Sequence, residues 1–162
     1  MALQCKLFLY EEVPDIDVDQ VRMLLKDENL TWESSLPNRA YPDPIKNYAA
    51  FVYNGNTVVG FMAIRDGNKC STIVIHPDYE REEIIKLLLS IAISSPLLYA
   101  QDPFLNFHYH KELHNAKSDL DVALKLGFKL KKERFAIPDL NFQTYIHNCG
   151  HPEPEEDEDL FL

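Results

Sequence analysis

The residues best equipped for chemistry fall in a few short stretches. His108-Tyr109-His110 followed by His114 puts two imidazoles at i and i+2, on one side of a strand, and His147-Asn148-Cys149-Gly150-His151 adds a second imidazole and thiol set. Both are metal-ligand residue types at metal-ligand spacing. Glu80-Arg81-Glu82-Glu83 gathers three carboxylates and one guanidinium at the start of an apolar helical pattern, where the helix dipole favours acids. Asp15-Ile16-Asp17-Val18-Asp19 lacks the glycine and closing glutamate of a calcium loop, and reads as helix-start acids. The chain has no glycine-rich nucleotide loop, no GxSxG elbow and no HExxH. Cys70, inside a strand pattern, reads as a small buried hydrophobe.

The elements that must position these groups can be read from period and punctuation. Lys6 to Tyr10 reads as a first strand. Asp15 or Asp17 is expected to cap a helix carrying Val18, Val21, Leu24 and Leu25 as its apolar stripe. Pro37, Pro42 and Pro44 restrict the next stretch to a short helix around Trp32 and an extended arm. Strands at 49–53, 57–65 and 69–75 follow, joined at Asn54-Gly55-Asn56 and Asp66-Gly67-Asn68, as an antiparallel meander. Glu82 to Ser94 reads as a helix with Ile84, Ile85, Leu88, Leu89 and Ala92 on one face. A strand at 104–109 comes next, then a helix capped by Ser118 and stopped by Gly127. Strands at 128–137 and 142–147 close the pattern around a Pro138-Asp139 turn.

Of 162 residues, 46% are apolar and 11% aromatic, which suits one folded domain. No apolar run reaches the roughly 18 residues of a membrane span, since Lys86, Ser90, Ser94, Ser95 and Pro96 break the longest candidate. The N-terminal residues do not pattern as a secretion signal, and three cysteines (Cys5, Cys70, Cys149) without a CxxC pair suit reduced thiols, so a cytoplasmic location is expected. The net charge is −10. Six acids and no base lie beyond His151, leaving 20 acids against 16 bases before it. Phosphate backbones and anionic membranes repel such a chain, so neither nucleic acid nor membrane is expected as a direct partner. Residues 151–162 have the composition of an acidic tail on a domain spanning 1–150.

The order strand, helix pair, three-strand meander, long helix, strand, helix, strand, strand resembles the GNAT family of N-acetyltransferases. Thr57-Val58-Val59-Gly60-Phe61-Met62-Ala63-Ile64 is similar to the family's third strand. Ile75-His76-Pro77-Asp78-Tyr79 is similar to the end of its fourth strand, and Leu124-Lys125-Leu126-Gly127-Phe128 to the end of its fourth helix. The resemblance runs over about residues 5 to 149 and implies an α/β (mixed α+β) fold, a mostly antiparallel sheet of about seven strands with helices on both faces. It also implies that Trp32, Tyr41 and Tyr48 lie on the acceptor side of a cleft, where core or rim packing is the simpler role. The strands carrying the two histidine sets become antiparallel neighbours, with His110 at the opposite end from His147 and Cys149, so no metal site is expected.

In that family the turn after the fourth strand, here Ile73, Val74, Ile75 and the residues following, holds the pyrophosphate of acetyl-CoA on bare backbone N–H groups at a helix start. The family pattern is glutamine or arginine, two residues, glycine, one residue, glycine or alanine. Here Glu80, Glu83 and Ile85 take those places, with Arg81 the one compensating charge. Like charges about 4 Å apart repel by roughly 4 kcal/mol at an effective dielectric of 20. Many members place a tyrosine, the general acid for the thiolate leaving group, five residues before the phenylalanine; here that position is Ala123. Tyr109 is the candidate for a displaced proton donor, and losing such an acid costs about 10²- to 10⁴-fold.

The sequence therefore leads to an acetyltransferase-like domain without acetyl-CoA chemistry, needing no cofactor, that serves as a binding or structural component of a protein assembly. One alternative is a working N-acetyltransferase that uses acetyl-CoA through an atypical turn; another is an acidic inhibitor that mimics nucleic acid. Asp159, Leu160, Phe161 and Leu162, acid beside large apolar side chains, are the expected partner-binding residues.

Overall fold

Gly55 adopts φ +62°, the left-handed conformation that a two-residue hairpin needs, and with Asn56 it turns β2 (Tyr48–Asn54) into β3 (Thr57–Arg65). Asp66, at φ +52°, begins the next reversal into β4 (Lys69–Ile75). β3 is buried along nearly its whole length, so its residues read as a continuous apolar run instead of an alternating one. The computed structural model describes residues 2–27, 47–66, 68–100, 103–110, 115–131 and 142–149.

Around this meander lie β1 (Leu3–Leu9), a 3-10 turn (Tyr10–Glu12) and α1 (Asp15–Asp27) before it. After it come α2 (Arg81–Ser94), α3 (Pro96–Tyr99), β5 (Phe104–His110), α4 (Ala116–Lys125), β6 (Lys129–Leu130) and β7 (Phe142–Asn148). The seven strands form one mixed sheet in the order β1-β2-β3-β4-β5-β7-β6, and every neighbouring pair is antiparallel except β4 with β5. The expected α/β architecture, with helices on both faces, is the one found.

Each face has its own core. On one, Val21 and Leu25 of α1 cover Phe51 and Phe61, whose rings meet edge to face at 5.4 Å. On the other, Ile84, Ile85, Leu88, Leu89 and Ala92 of α2 cover Ala50, Val52 and Met62, and Leu120 and Ala123 of α4 join the same core beside α2 and β5. Gly60 sets how closely α2 approaches: a Cβ there would lie 2.4 Å from Ile84 Cγ2. Tyr48 belongs to this core, 2% exposed, and so lines no groove.

Several local expectations are corrected. The first strand starts at Leu3 and ends before Tyr10, which enters the 3-10 turn. Asp17 does not cap α1; it lies inside the helix, buried, and accepts a 2.6 Å hydrogen bond from Tyr53 Oη. Burial, and after it the bond to Asp17, raise the pKa of the Tyr53 phenol. Ser118 does not cap α4 either: Asn115, at φ +65°, is the N-cap, and the Ser118 hydroxyl donates to its carbonyl. The short α3, opened by Pro96, has no period that would announce it. The helix around Trp32, Tyr41, the strand beyond Lys131, the Pro138-Asp139 turn and the acidic tail lie outside the described residues.

Candidate functional site

β4 and β5 run parallel but pair only at Lys69 with Asn106 and Cys70 with Phe107, the start of β4 and the middle of β5. The Asn106 N–H also reaches the Asn68 carbonyl at 2.8 Å. Beyond Cys70 the pairing with β3 skips a residue: Ser71 faces Ala63 and Ile73 faces Met62, leaving Thr72 unpaired at φ +45°. A bulge of this kind bends its strand and sharpens its twist. A β-branched residue at positive φ is a costly conformation that the flanking pairings enforce. The two strands thus part into a wedge that opens toward Ile75 and His110. Sequence reasoning missed Thr72, since nothing in its side chain announces a bulge.

At the wide end, Ile75 leads through His76–Tyr79 into α2. The His76 N–H is tied to the Val59 carbonyl at 2.8 Å, its ring Nδ1 accepts from the Asp78 N–H, and the Tyr79 hydroxyl accepts from Asn54 Nδ2 at 2.7 Å. The turn is therefore fixed to β2 and β3. Glu80 is the N-cap of α2, and its side chain makes no capping hydrogen bond. Glu80, Glu82 and Glu83 are exposed around it, with Asp78 beside them. Ile85, at the position of the family's second small residue, is fully buried in the α2 core.

Arg81, the one cation in this turn, forms a two-bond fork with Asp119 on α4: Nε to Oδ1 at 2.9 Å and Nη2 to Oδ2 at 2.8 Å. The pair is largely enclosed, with side-chain exposures of 25% and 11%. A fork of this geometry fixes the guanidinium plane as well as its charge. Asp119 sits in the first turn of α4, where that helix also favours an acid. Lys125 reaches back to Glu82 at 3.3 Å as a second, exposed tie between the two helices. Asp119 was not anticipated. It lies four residues before buried Ala123, one turn up the same face, so an acid on the apolar face of α4 was the available signal.

Ala123 is completely buried, and the position of the family's tyrosine offers no hydroxyl. Tyr109, near the end of β5 opposite Gln143, is partly buried against the α2 and α4 core. The structure separates the histidine sets by strand register: His110 stands opposite Phe142, whereas His147 stands opposite Leu105 at the far end. His147 and Cys149 meet each other instead. Nε2 lies 3.0 Å from the Leu126 carbonyl at the end of α4 and Nδ1 lies 3.4 Å from Cys149 Sγ. With Nε2 protonated both ring nitrogens are satisfied. Burial lowers the His147 pKa and pushes the Cys149 thiol up to about 11, so the two are neutral together. Cys70 is raised further by full burial. A nucleophile needs the thiolate, which these surroundings oppose.

No family model and no curated protein matches this chain. Solved structures do. A GNAT-family acetyltransferase of Bacillus cereus shares 15% identity with a TM-score of 0.59, covering 93% of this chain and all of that one. The PaiA N-acetyltransferase of Thermoplasma acidophilum, solved with coenzyme A, shares 11% with a TM-score of 0.62 over 91% and 99% of the two chains. An aminoglycoside 6'-acetyltransferase type Ii shares 14%, with a TM-score of 0.62 over 92% and 99%. Identities this low speak for architecture, and by architecture this chain has the GNAT N-acetyltransferase fold.

Proposed function

We propose that this acetyltransferase-like domain does not carry acetyl-CoA chemistry and works as a binding or structural component of a protein assembly. One observation carries the reading: the α2 start, where the fold's relatives would seat a diphosphate, is ringed by Glu80, Glu82 and Glu83 while its cation, Arg81, is committed to Asp119. A helix start attracts anions through its bare N–H groups and dipole, worth at most a few kcal/mol. Three carboxylates around a diphosphate oppose that attraction on the same scale. Ile85, where the family pattern has a small residue, is a fully buried branched side chain of the α2 core. The residues present do not fit acetyl-CoA.

The test is thermal unfolding with acetyl-CoA. A ligand present at 100 times its dissociation constant stabilises by about 2.7 kcal/mol. The expected result is an unchanged melting temperature at millimolar acetyl-CoA; a rise of several degrees overturns the reading. The second reading is a working N-acetyltransferase with an atypical turn and Tyr109 as proton donor, favoured by the open wedge between β4 and β5. Retained turnover that Tyr109→Phe abolishes would establish it. In either case no helix among the described residues is long and apolar enough to cross a membrane.

For the tail we propose a partner-binding role centred on Asp159, Leu160, Phe161 and Leu162. Acids speed encounter with a basic groove, and burying Phe161 and Leu162 contributes roughly 3 to 6 kcal/mol before ordering costs. Deleting residues 153–162 is expected to leave the melting temperature unchanged and to weaken partner association, with Phe161→Ala causing most of that loss. Association unaltered by the deletion removes this role.

A further inference from the structure

We propose that α1 pairs antiparallel with α1 of a second copy of this chain, with Lys26 of each copy reaching an acid-edged cavity on the other. The inference concerns α1 and stands whether or not the α2 start holds acetyl-CoA.

The orientation of α1 on the sheet is fixed by its inner contacts. Val21 and Leu25 are completely buried in the core that holds Phe51 and Phe61. Asp17 is bonded to Tyr53; Gln20 donates to the Asn56 carbonyl at 3.1 Å and accepts from the Val58 N–H at 2.8 Å. At about 100° per residue, these contacts turn Ile16 and Met23, seven positions apart, outward. They are 68% and 74% exposed, the most exposed large apolar side chains among the described residues.

The charges beside them are segregated along the helix. Asp15 and Asp19 stand in its first half, Arg22 and Lys26 in its second, all four exposed. A parallel copy would set like charges level. An antiparallel copy sets Asp15 level with Lys26 of the second copy and Asp19 level with its Arg22, because both pairs are centred on one point, between Gln20 and Val21. The same register brings Ile16 of each copy within a turn of Met23 of the other, twice over by twofold symmetry. Asp19 and Arg22 already meet within one helix at 3.6 Å, an exposed pair of little worth, so exchanging it across the twofold sacrifices little.

Beside Asp15 and Asp19 lies a cavity of about 550 Å³, lined also by buried Tyr10 and Val13, partly buried Val18 and exposed Glu11. Apolar walls next to carboxylates suit a lysine, whose stem packs on apolar surface while its ammonium meets the acids. Lys26 of the second copy stands level with this cavity's Asp15. Thirteen residues make α1 about 20 Å long. One helix pair buries less than the roughly 1,600 Å² of a standard interface, so the dimer is weak, with a dissociation constant of about 10 to 100 μM.

The test is sedimentation velocity of the full chain from about 5 to 500 μM, where a monomer–dimer equilibrium is expected. The Asp15→Lys, Asp19→Lys variant makes this side of the helix wholly basic, and the Arg22→Glu, Lys26→Glu variant makes it wholly acidic. Each is expected to be a monomer alone, and their equimolar mixture to form a one-to-one dimer at least as tight as the parent's. Met23→Ser, which leaves the charges intact, is expected to weaken the parent dimer about tenfold. Melting temperatures establish that each variant is folded; should a charge variant unfold, Met23→Ser decides alone. A parent that stays monomeric, dimers that persist in either charge variant, a mixture that stays monomeric, or a Met23→Ser dimer of parental strength each overturns the pairing.

Discussion

Replacing Asp119 with alanine tests whether Arg81 is truly committed. The fork consists of two charge-assisted bonds at 2.9 and 2.8 Å between side chains 25% and 11% exposed. Removing one member of a fully buried pair costs about 3–5 kcal/mol, chiefly by stranding the other charge. Arg81 keeps a quarter of its surface in water, so the cost is scaled down to about 2 kcal/mol. At roughly 2–4 °C per kcal/mol for a domain of this size, the melting temperature should fall by about 4–8 °C. Arg81→Met, which keeps an apolar stem without the charge, strands Asp119 at the start of α4, where the helix dipole partly compensates it, and should cost less. The double variant should then lose less than the two singles together, with a coupling of about 1 kcal/mol or more. Thermal and urea unfolding of the four proteins supplies all the terms. A single Asp119→Ala variant within about 0.5 kcal/mol of the parent, or coupling near zero, would refute the clamp and leave Arg81 available to an anion.

Two further outcomes follow from the packing. Gly60→Ala puts a Cβ 2.4 Å from Ile84 Cγ2, and overpacking there should cost about 1–3 kcal/mol in urea unfolding; an unchanged midpoint would show that α2 shifts freely. Burial lowers the His147 pKa, so the folded state binds its proton less well than the unfolded chain, whose value is about 6.5. The stability from neutral His147 is therefore complete above about pH 6.5 and declines as the pH falls below it. His147→Gln, which can keep the donor to the Leu126 carbonyl, should flatten that decline measured by urea unfolding; an equal slope in the variant assigns it elsewhere.

How far the sequence could be read depends on the range of the interactions involved. The β2–β4 meander was legible because Asn54-Gly55 and Asp66-Gly67 encode their turns locally. α2 was legible because Ile84, Ile85, Leu88, Leu89 and Ala92 repeat at helical spacing, and Gly127 ends α4 at φ +103° as a stop glycine should. The acidic turn was visible as composition. Its electrostatic state was not, because Asp119 lies 38 residues from the guanidinium it holds. Asp17 misled for the same reason: its partner Tyr53, 36 residues away, draws it inside the helix that it was expected to cap. The bulge at Thr72 and the early parting of β4 from β5 arise from how strands twist against each other, which no single residue type encodes.

The central claim is that the acid-ringed start of α2 does not hold acetyl-CoA, and calorimetric titration of the full chain with acetyl-CoA tests it most directly. The account predicts no saturable heat. A dissociation constant below about 10 μM, roughly −7 kcal/mol of binding, would contradict it.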